Sequence, residues 1–503
     1  MKRLLSLALA WVLALSLTAC GGTEPPAASQ SQPPDASVSE QEQVPVDIPF
    51  ALAVYPAYSL HPVLAENRAN LTLAPLLYEP LFQLDRNFQP QPVLCKSYAV
   101  SEDGLTWTFT LRGGILFSDG TPFDGKNAAE ALNAARKAGF RYAARLSGVT
   151  AVTGEENILT ITLSRPNSQL PALLDIPIAY GAGDRPAGTG PYVLTEGENG
   201  LSLTARPDWW QNTALPAREI PMTGVERSDD LIASFASGDT GLVDVDLMGT
   251  NALGYSGNYE TWDYSTTDLL YVGFNTQKGV CRTAQARQAL ALAIDRVSIV
   301  QIDYARHAVA SALPFHPDYE LYDGEQAGML DYDPEELVAR LEEQRLLGKR
   351  LTLLVNSENA AKVSAAQRIA YQLETAGMEV VLEKLPFEDY TAALTAGNFD
   401  LYLGEVVLTA DFDLSALVST TGALNYGRWW DGEIDGLLAA LRGAEGTARE
   451  EAAGALLAKL CEQVPVAPVC FKNGSVLTQW GRLSGLDPVR GNVFSQLENW
   501  IIR

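Results

Sequence analysis

Apolar and polar positions change period along the chain, and the changes divide it. Residues 4–17 are apolar almost without interruption behind Lys2 and Arg3, and 21–46 then carry Ser, Gln, Pro, Glu and Ala with almost no large apolar side chain. A strand is predicted at 50–55 and a helical stretch at 71–77. Residues 106–112 alternate with period two, as do 158–163, and both read as half-buried strands. Gly113-Gly114 and Asp119-Gly120-Thr121-Pro122 are turn signals, 127–138 is Ala-rich and helical, and 185–192 holds too many Pro and Gly for a helix. Beyond about residue 270 the pattern becomes a strand at 271–275 and a helix at 284–300. Strand 351–355, helix 360–376, strand 379–383, helix 387–396 and strand 401–403 follow. Strands alternating with helices of this length predict a parallel sheet wound on both faces, so this half reads as an α/β lobe.

The first run is too short to span a hydrocarbon layer, which needs roughly 20 residues, and reads as a signal peptide over 1–19. It ends in Leu17-Thr18-Ala19-Cys20-Gly21, which resembles a bacterial lipobox and makes Cys20 the candidate lipidation site. Residues 20–46 cannot bury enough surface to fold and are expected to act as a tether. Acyl chains on Cys20 hold a protein to a membrane at roughly 0.8 kcal/mol per buried methylene, which places the folded part on the extracytoplasmic face of the cell membrane.

The chain has 503 residues, enough for about three domain-sized units, and 47% hydrophobic content is ample for real cores. Its formal charge of −25 repels phosphate backbones and anionic headgroups, so nucleic acid is excluded as a partner. Four cysteines remain after Cys20: Cys95, Cys281, Cys461 and Cys470. They permit two disulfides, with Cys461 and Cys470 the pair close in sequence, but scattered cysteines in a large domain also serve as small buried hydrophobes.

Catalytic and metal motifs are missing. The three histidines, His61, His307 and His316, form no pair at helical spacing, and there is no G-x-S-x-G elbow or Walker A loop. Gly181-Ala182-Gly183 begins like a dinucleotide loop, but Pro186 stands where the third glycine belongs. Asp331-Tyr332-Asp333 and Asp411-Phe412-Asp413 lack the oxygen pattern of a calcium loop, and Asp333 before Pro334 reads as a helix cap. No enzyme activity, metal or cofactor is expected.

Several blocks carry a resemblance. Tyr78-Glu79-Pro80-Leu81-Phe82, the stretch from Ser101 to Gly114 and Phe117-Ser118-Asp119-Gly120-Thr121-Pro122-Phe123 come first. Gly188-Thr189-Gly190-Pro191-Tyr192, Tyr271-Val272-Gly273-Phe274-Asn275-Thr276, Arg287-Gln288-Ala289-Leu290, Ala293-Ile294-Asp295-Arg296 and Asn425-Tyr426-Gly427-Arg428-Trp429-Trp430 follow in order. Together with the lipobox they resemble the family 5 extracellular solute-binding proteins, the oligopeptide- and dipeptide-binding components of ABC importers.

That resemblance implies a two-lobed, periplasmic-binding-protein-like fold of type II. The lobes would be 47–77, 186–270 and 486–503 for the first, with an extra domain at 78–185, and 271–485 for the second. They would be joined by strands crossing near 270–277 and 476–486 and would close on ligand like a flytrap. It implies a monomer with an ABC permease and ATPase as partners and a peptide as cargo; a glycan, metal chelate or small cation, or service as a surface sensor, are the alternatives. The family places an Asp of a Trp-x-x-Asp segment on the ammonium end of a peptide, and alignment on Thr409-Ala410-Asp411 gives Asp411 that role. Leu408 stands where the family often has Trp, and Arg428, Trp429 and Trp430 are the other candidates for the cleft. Independently of the resemblance, Asp411 follows strand 401–403 at its carboxyl end, where ligand crevices form, and an enclosed carboxylate there needs a cationic partner. Capping the next helix is the other role open to Asp411 or Asp413.

Overall fold

The computed structural model describes residues 50–503 except 138 and 199, so the expected signal peptide, Cys20 and the tether lie outside the described residues. The chain enters through β1 (Leu52–Val54), buried at all three positions, and a short helix α1 (Arg68–Thr72) capped by Asn67. A hairpin of β2 (Phe82–Leu84) and β3 (Pro90–Pro92) leads into β4 (Cys95–Val100), β5 (Thr106–Leu111), β6 (Val149–Glu155) and β7 (Ile158–Leu163). These last four make a separate antiparallel sheet in the order β4-β5-β7-β6. The period-two pattern puts Trp107, Phe109, Leu159 and Ile161 inward, where helix α2 (Gly125–Ala135) helps to cover them. Asp124 and Asn127 form a reciprocal capping box that starts this helix.

The main sheet resumes with β8 (Tyr192–Gly197), β9 (Gly200–Ala205), β10 (Glu219–Gly224), helix α3 (Ser228–Ser237) and β11 (Leu242–Val245). The long β12 (Tyr259–Phe274), the short β13 (Ala308–Ala310), β14 (Arg350–Asn356), helix α4 (Ala360–Thr375), β15 (Glu379–Leu385), β16 (Leu401–Val407), helix α5 (Gly432–Gly443) and the long β17 (Val466–Gln479) follow. The strand order is β8-β9-β10-β1-β11-β17-β12-β16-β14-β15, with β13 added on β17. The architecture is mixed α/β with two lobes: strands β8 to β11 belong to one, β14 to β16 to the other, and β12 and β17 run through both. Each lobe has its own core, around Leu52, Tyr192 and Ile220 in the first and around Leu353, Leu401 and Leu456 in the second.

Three expectations need correction. Strand 271–275 is the last part of a 16-residue strand, because its polar half, 259–265, pairs with β17 and so needs no apolar pattern to persist. Helix 284–300 stops at Ala291, and Asp295 caps a new turn so that buried Arg296 can donate to the carbonyls of Pro468 and Leu330. The sheet of the second lobe is mixed: β14 is parallel to β15 and β16, but β16 pairs antiparallel with β12. Helix 360–376 and strands 106–112 and 158–163 stand within a residue of where the pattern predicts them.

The long strands carry an irregularity where they pass between lobes. Register shifts between Ser265 and Asp268 on β12, opposite Asn473 and Lys472, leaving Thr266 and Thr267 outside the ladder. Their hydroxyls take over its work: Thr266 donates to the Lys472 carbonyl and buried Thr267 to the Leu408 carbonyl, each at 2.6 Å.

Candidate functional site

Strand direction builds the site. Strands β1, β10 and β11 are mutually parallel, and β11 runs antiparallel to β17 with Val245 opposite Ser475, so their carboxyl ends point toward the second lobe. Strand β16 runs the other way, from Leu401 opposite Phe274 to Val407 opposite Asp268, and β14 is parallel to it. The carboxyl ends of both sets of strands therefore face each other across β12 and β17, the position where α/β sheets leave crevices.

On the first-lobe side a pocket of about 480 Å³ opens there, lined among others by Tyr55, Arg68, Asp244, Asp246 and Tyr255. Buried Asn70 sets the loop after β1: its side-chain oxygen accepts from the Tyr55 amide, and its nitrogen donates to the carbonyls of Tyr55, Tyr58 and Ser59. Arg68 donates to Asp244 at 2.9 Å and to the Tyr264 hydroxyl, which donates to the same carboxylate at 2.8 Å. The loop after β11 closes on the opposite lobe, where Asn359, the cap of α4, donates to the Met248 carbonyl at 2.9 Å.

The floor between the lobes is ionic. Lys472, 3% exposed, lies 3.1 Å from Asp246, 3.2 Å from Asp268 and 2.6 Å from Glu405. Burial by itself would push the ammonium down, but Asp268, Glu405 and Asp246 outweigh it and hold it above its ordinary range. Burial raises the Asp268 carboxyl, Lys472 opposes this, and Glu405 adds to the rise. Nearby Lys362 on α4, also buried, is pushed down to about 8 by desolvation and lies 5.5 Å from the centre of the Tyr390 ring. Charges of both signs thus meet at the seam. Among the described residues there is no cluster of three His, Cys, Asp or Glu able to hold a metal ion.

The sequence-predicted residues fall in two separate places. Leu408 is 4% exposed, sits in the core of the second lobe and donates its amide to the Thr267 carbonyl. Asp411 accepts from the Thr409 hydroxyl and from Asn167 of the first-lobe side at 3.1 Å, and has no ion-pair partner among the described residues. Burial raises its carboxyl, the bonds from Thr409 and Asn167 oppose the rise, and Asp413 adds to it. It lines a cavity of about 70 Å³ with Arg145, Arg165 and Arg442, which has room for a few waters or an ammonium group and not for the body of a ligand. Asp413 accepts from the Ser415 amide at the start of the helical turn 415–418, whose cap position is Leu414.

Arg428 and Trp429 stand elsewhere. Their loop docks on the far end of β12, where Gly427 accepts from the Thr276 amide and Arg428 from the Gln277 side chain. That is the Phe274 end, six residues or about 20 Å along the strand from Asp268. Arg428 donates to the Thr395 carbonyl, Trp429 lies under the Arg287 guanidinium at 5.2 Å, and Trp430 is exposed. The structure does not bring this pair together with Asp411. The residues missed by sequence reasoning are Lys472, Asp246, Asp268 and Glu405, whose one sequence signal was a Lys in an otherwise apolar stretch, 466–472. Cys95, Cys281, Cys461 and Cys470 are free and buried, so the disulfide alternative is not the one adopted.

Known proteins agree with this geometry. Residues 89–425 match the family described as bacterial extracellular solute-binding proteins, family 5 middle. The chain is 29% identical over 301 residues to the nickel-binding periplasmic protein of Escherichia coli K12, covering 53% of this chain and 55% of that one. It is 24% identical over 472 residues to the dipeptide-binding protein of Lactococcus lactis subsp. cremoris, covering 80% and 81%. It therefore spans about half of the nickel-binding relative and four fifths of the dipeptide-binding one. Among solved structures, the ABC transporter substrate-binding protein CtaP of Listeria monocytogenes superposes with a TM-score of 0.73 at 18% identity, over 90% of this chain and 99% of the other. Two facing sets of strand ends, two crossing strands and a family match over most of the folded chain lead to one conclusion: this chain belongs to the family 5 bacterial extracellular solute-binding proteins.

Proposed function

We propose that this protein captures small peptides between its two lobes and delivers them to the permease and ATPase of an ABC importer. The observation that carries the reading is the pocket of about 480 Å³ at the facing strand ends, within the ~300–1,000 Å³ that small-molecule sites occupy. Peptides are zwitterions, and the seam beside the pocket offers both signs, with Asp246 and Asp244 for an ammonium and Lys362 for a carboxylate. Asp411 is a second acidic position: an ammonium in its small cavity would offset the cost of its burial. The match to the dipeptide-binding relative supports the same cargo.

The irregularity at 265–268 and 472–473 supports a flexing point between the lobe that carries β1 and β8 to β11, with its extra domain at 78–185, and the lobe that carries β14 to β16. Lipidation of Cys20 would keep this monomer on the extracytoplasmic face of the membrane, near its permease. No helix among the described residues is long and apolar enough to cross a membrane.

Thermal unfolding of the full chain carrying Cys20→Ser, with pools of di- and tripeptides, tests the reading. A ligand at a hundred times its Kd stabilises by about 2.7 kcal/mol, which is a measurable rise in Tm. If no peptide pool shifts Tm but a nickel–histidine chelate does, the cargo is a chelate, the second reading, which the nickel-binding relative favours.

A further inference from the structure

The turn between β2 and β3 belongs by its anchors to the first-lobe side. Asp85 accepts from the amides of Asn87 and Gln89 and from the Gln91 side chain. Arg86 pairs with Asp487 at 2.6 Å, and Gln83 accepts from Asn492, both in the C-terminal segment that packs on the first lobe. Yet the side chain at the tip, Phe88, is 2% exposed and belongs to the core of the second lobe, whose other buried members all lie between Leu269 and Phe471. Its ring centre lies 5.1 Å from Phe412, 5.2 Å from His316 and 6.4 Å from Tyr319, edge-on to Phe412 at 85°. Phe471 and Phe315 back this socket.

Both facing residues adopt left-handed backbone, with φ +63° at Phe88 and +53° at Phe412. Side chains other than Gly, Asn and Asp rarely accept that conformation, and it persists only where surrounding contacts compensate. Local turns hold both backbones, Phe88 donating its amide to the Asp85 carbonyl and Phe412 to the Thr409 carbonyl, and each turn presents its ring to the other lobe. Around it the seam is closed by small groups: Leu84, Ala172 and Ala410 pack together, and the Ser168 amide donates to the Arg442 carbonyl.

We propose that Phe88 is an intramolecular latch, a side chain of the first-lobe hairpin that seats in the aromatic socket of the second lobe and holds the two lobes closed without cargo. Cargo release then requires withdrawing Phe88 from between His316 and Phe412, so these residues govern the opening equilibrium without lining the 480 Å³ pocket.

Spin labels on Glu130→Cys and Glu374→Cys, both exposed and on opposite lobes, report the interlobe distance in the cargo-free full chain carrying Cys20→Ser. The four native thiols are buried and stay unlabelled. Phe88→Asn removes the apolar ring but suits left-handed backbone, so the turn survives; Phe412→Asn does the same from the other side. Both are expected to raise the ratio of long to short distances by about tenfold. Distance distributions in both variants equal to or shorter than the parent's overturn the latch. Because no ligand is present, this outcome is independent of whether the cargo is a peptide.

Discussion

Lys472 and Glu405 stand on strands that are not neighbours, yet their charged ends are 2.6 Å apart, because the lysine reaches across the intervening β12 and past Asp268. With Asp246 at 3.1 Å from the loop after β11, one ammonium ties both lobes to the crossing strands.

Replacing this lysine leaves three carboxylates without their cation. Lys472→Met is expected to lose about 3–5 kcal/mol in urea unfolding at pH 7, the usual cost of breaking a buried ionic group from one side. The loss shrinks as pH falls into the carboxylate range, because Asp268, whose carboxyl is already raised by burial, takes up a proton and removes part of the repulsion. A deficit that stays constant with pH would contradict the cluster.

Gly474 lies on β17 against the Tyr264 ring, where a Cβ would stand 2.1 Å from the ring carbon that bears the hydroxyl. Gly474→Ala must displace Tyr264 and with it the hydroxyl that links Asp244 and Arg68. A loss of about 1–3 kcal/mol in stability is expected, together with weaker ligand binding in the pocket, whereas Gly432→Ala, with open space around it, changes neither. Parallel calorimetric titration and denaturation of the two variants compare them directly.

His316 is fully buried in the socket, its Nδ1 accepts from the Asp318 amide, and its Nε2 has no hydrogen-bond partner among the described residues. Burial pushes its pKa down to about 4, with Asp318 opposing. The unfolded chain, with a histidine near 6.5, binds the proton first, so stability falls as pH drops from 6.5 toward 4, by up to on the order of 3 kcal/mol. His316→Phe removes this contribution; unfolding midpoints of wild type and variant that keep the same spacing from pH 7 to pH 4 would refute it.

Asp411 is a carboxylate held where burial favours its protonated form. Its folded pKa lies above the unfolded one, so it detracts from stability once pH rises through that range. Asp411→Asn is expected to raise stability at pH 7. It should also lose affinity for peptides with a free amino terminus while leaving N-acetylated ones unaffected. Equal losses for both peptide types in calorimetric titration would remove the ammonium role.

The four buried thiols are expected to be silent. In the native chain carrying Cys20→Ser, a thiol reagent at pH 8 finds no fast-reacting group, because burial raises Cys95 and Cys461 to about 11 and the other two further. Four thiols appear on unfolding without reductant; two or none would mean disulfides.

Some of this protein was legible in its sequence by itself. Period-two alternation set β5 and β7, the 3.6-residue pattern set α4, and turn-rich boundaries separated them, since each of these depends on residues close together in the chain. The ordered blocks, from Tyr78-Glu79-Pro80-Leu81-Phe82 to Asn425-Tyr426-Gly427-Arg428-Trp429-Trp430, together with the lipobox carried the resemblance to the family. Only the tertiary structure decided the site. Lys472 meets Asp246 across 226 positions and Asn167 meets Asp411 across 244, and no local pattern encodes such pairs. The polar half of β12 was invisible as a strand because its pairing with β17, not its own periodicity, makes it one. Trp429 and Arg428 looked like cleft residues for their chemistry, but the position of their loop at the Phe274 end of β12 places them away from the seam. Nothing in the local pattern singles out Phe88, and its burial in the opposite lobe follows from how two distant surfaces fit.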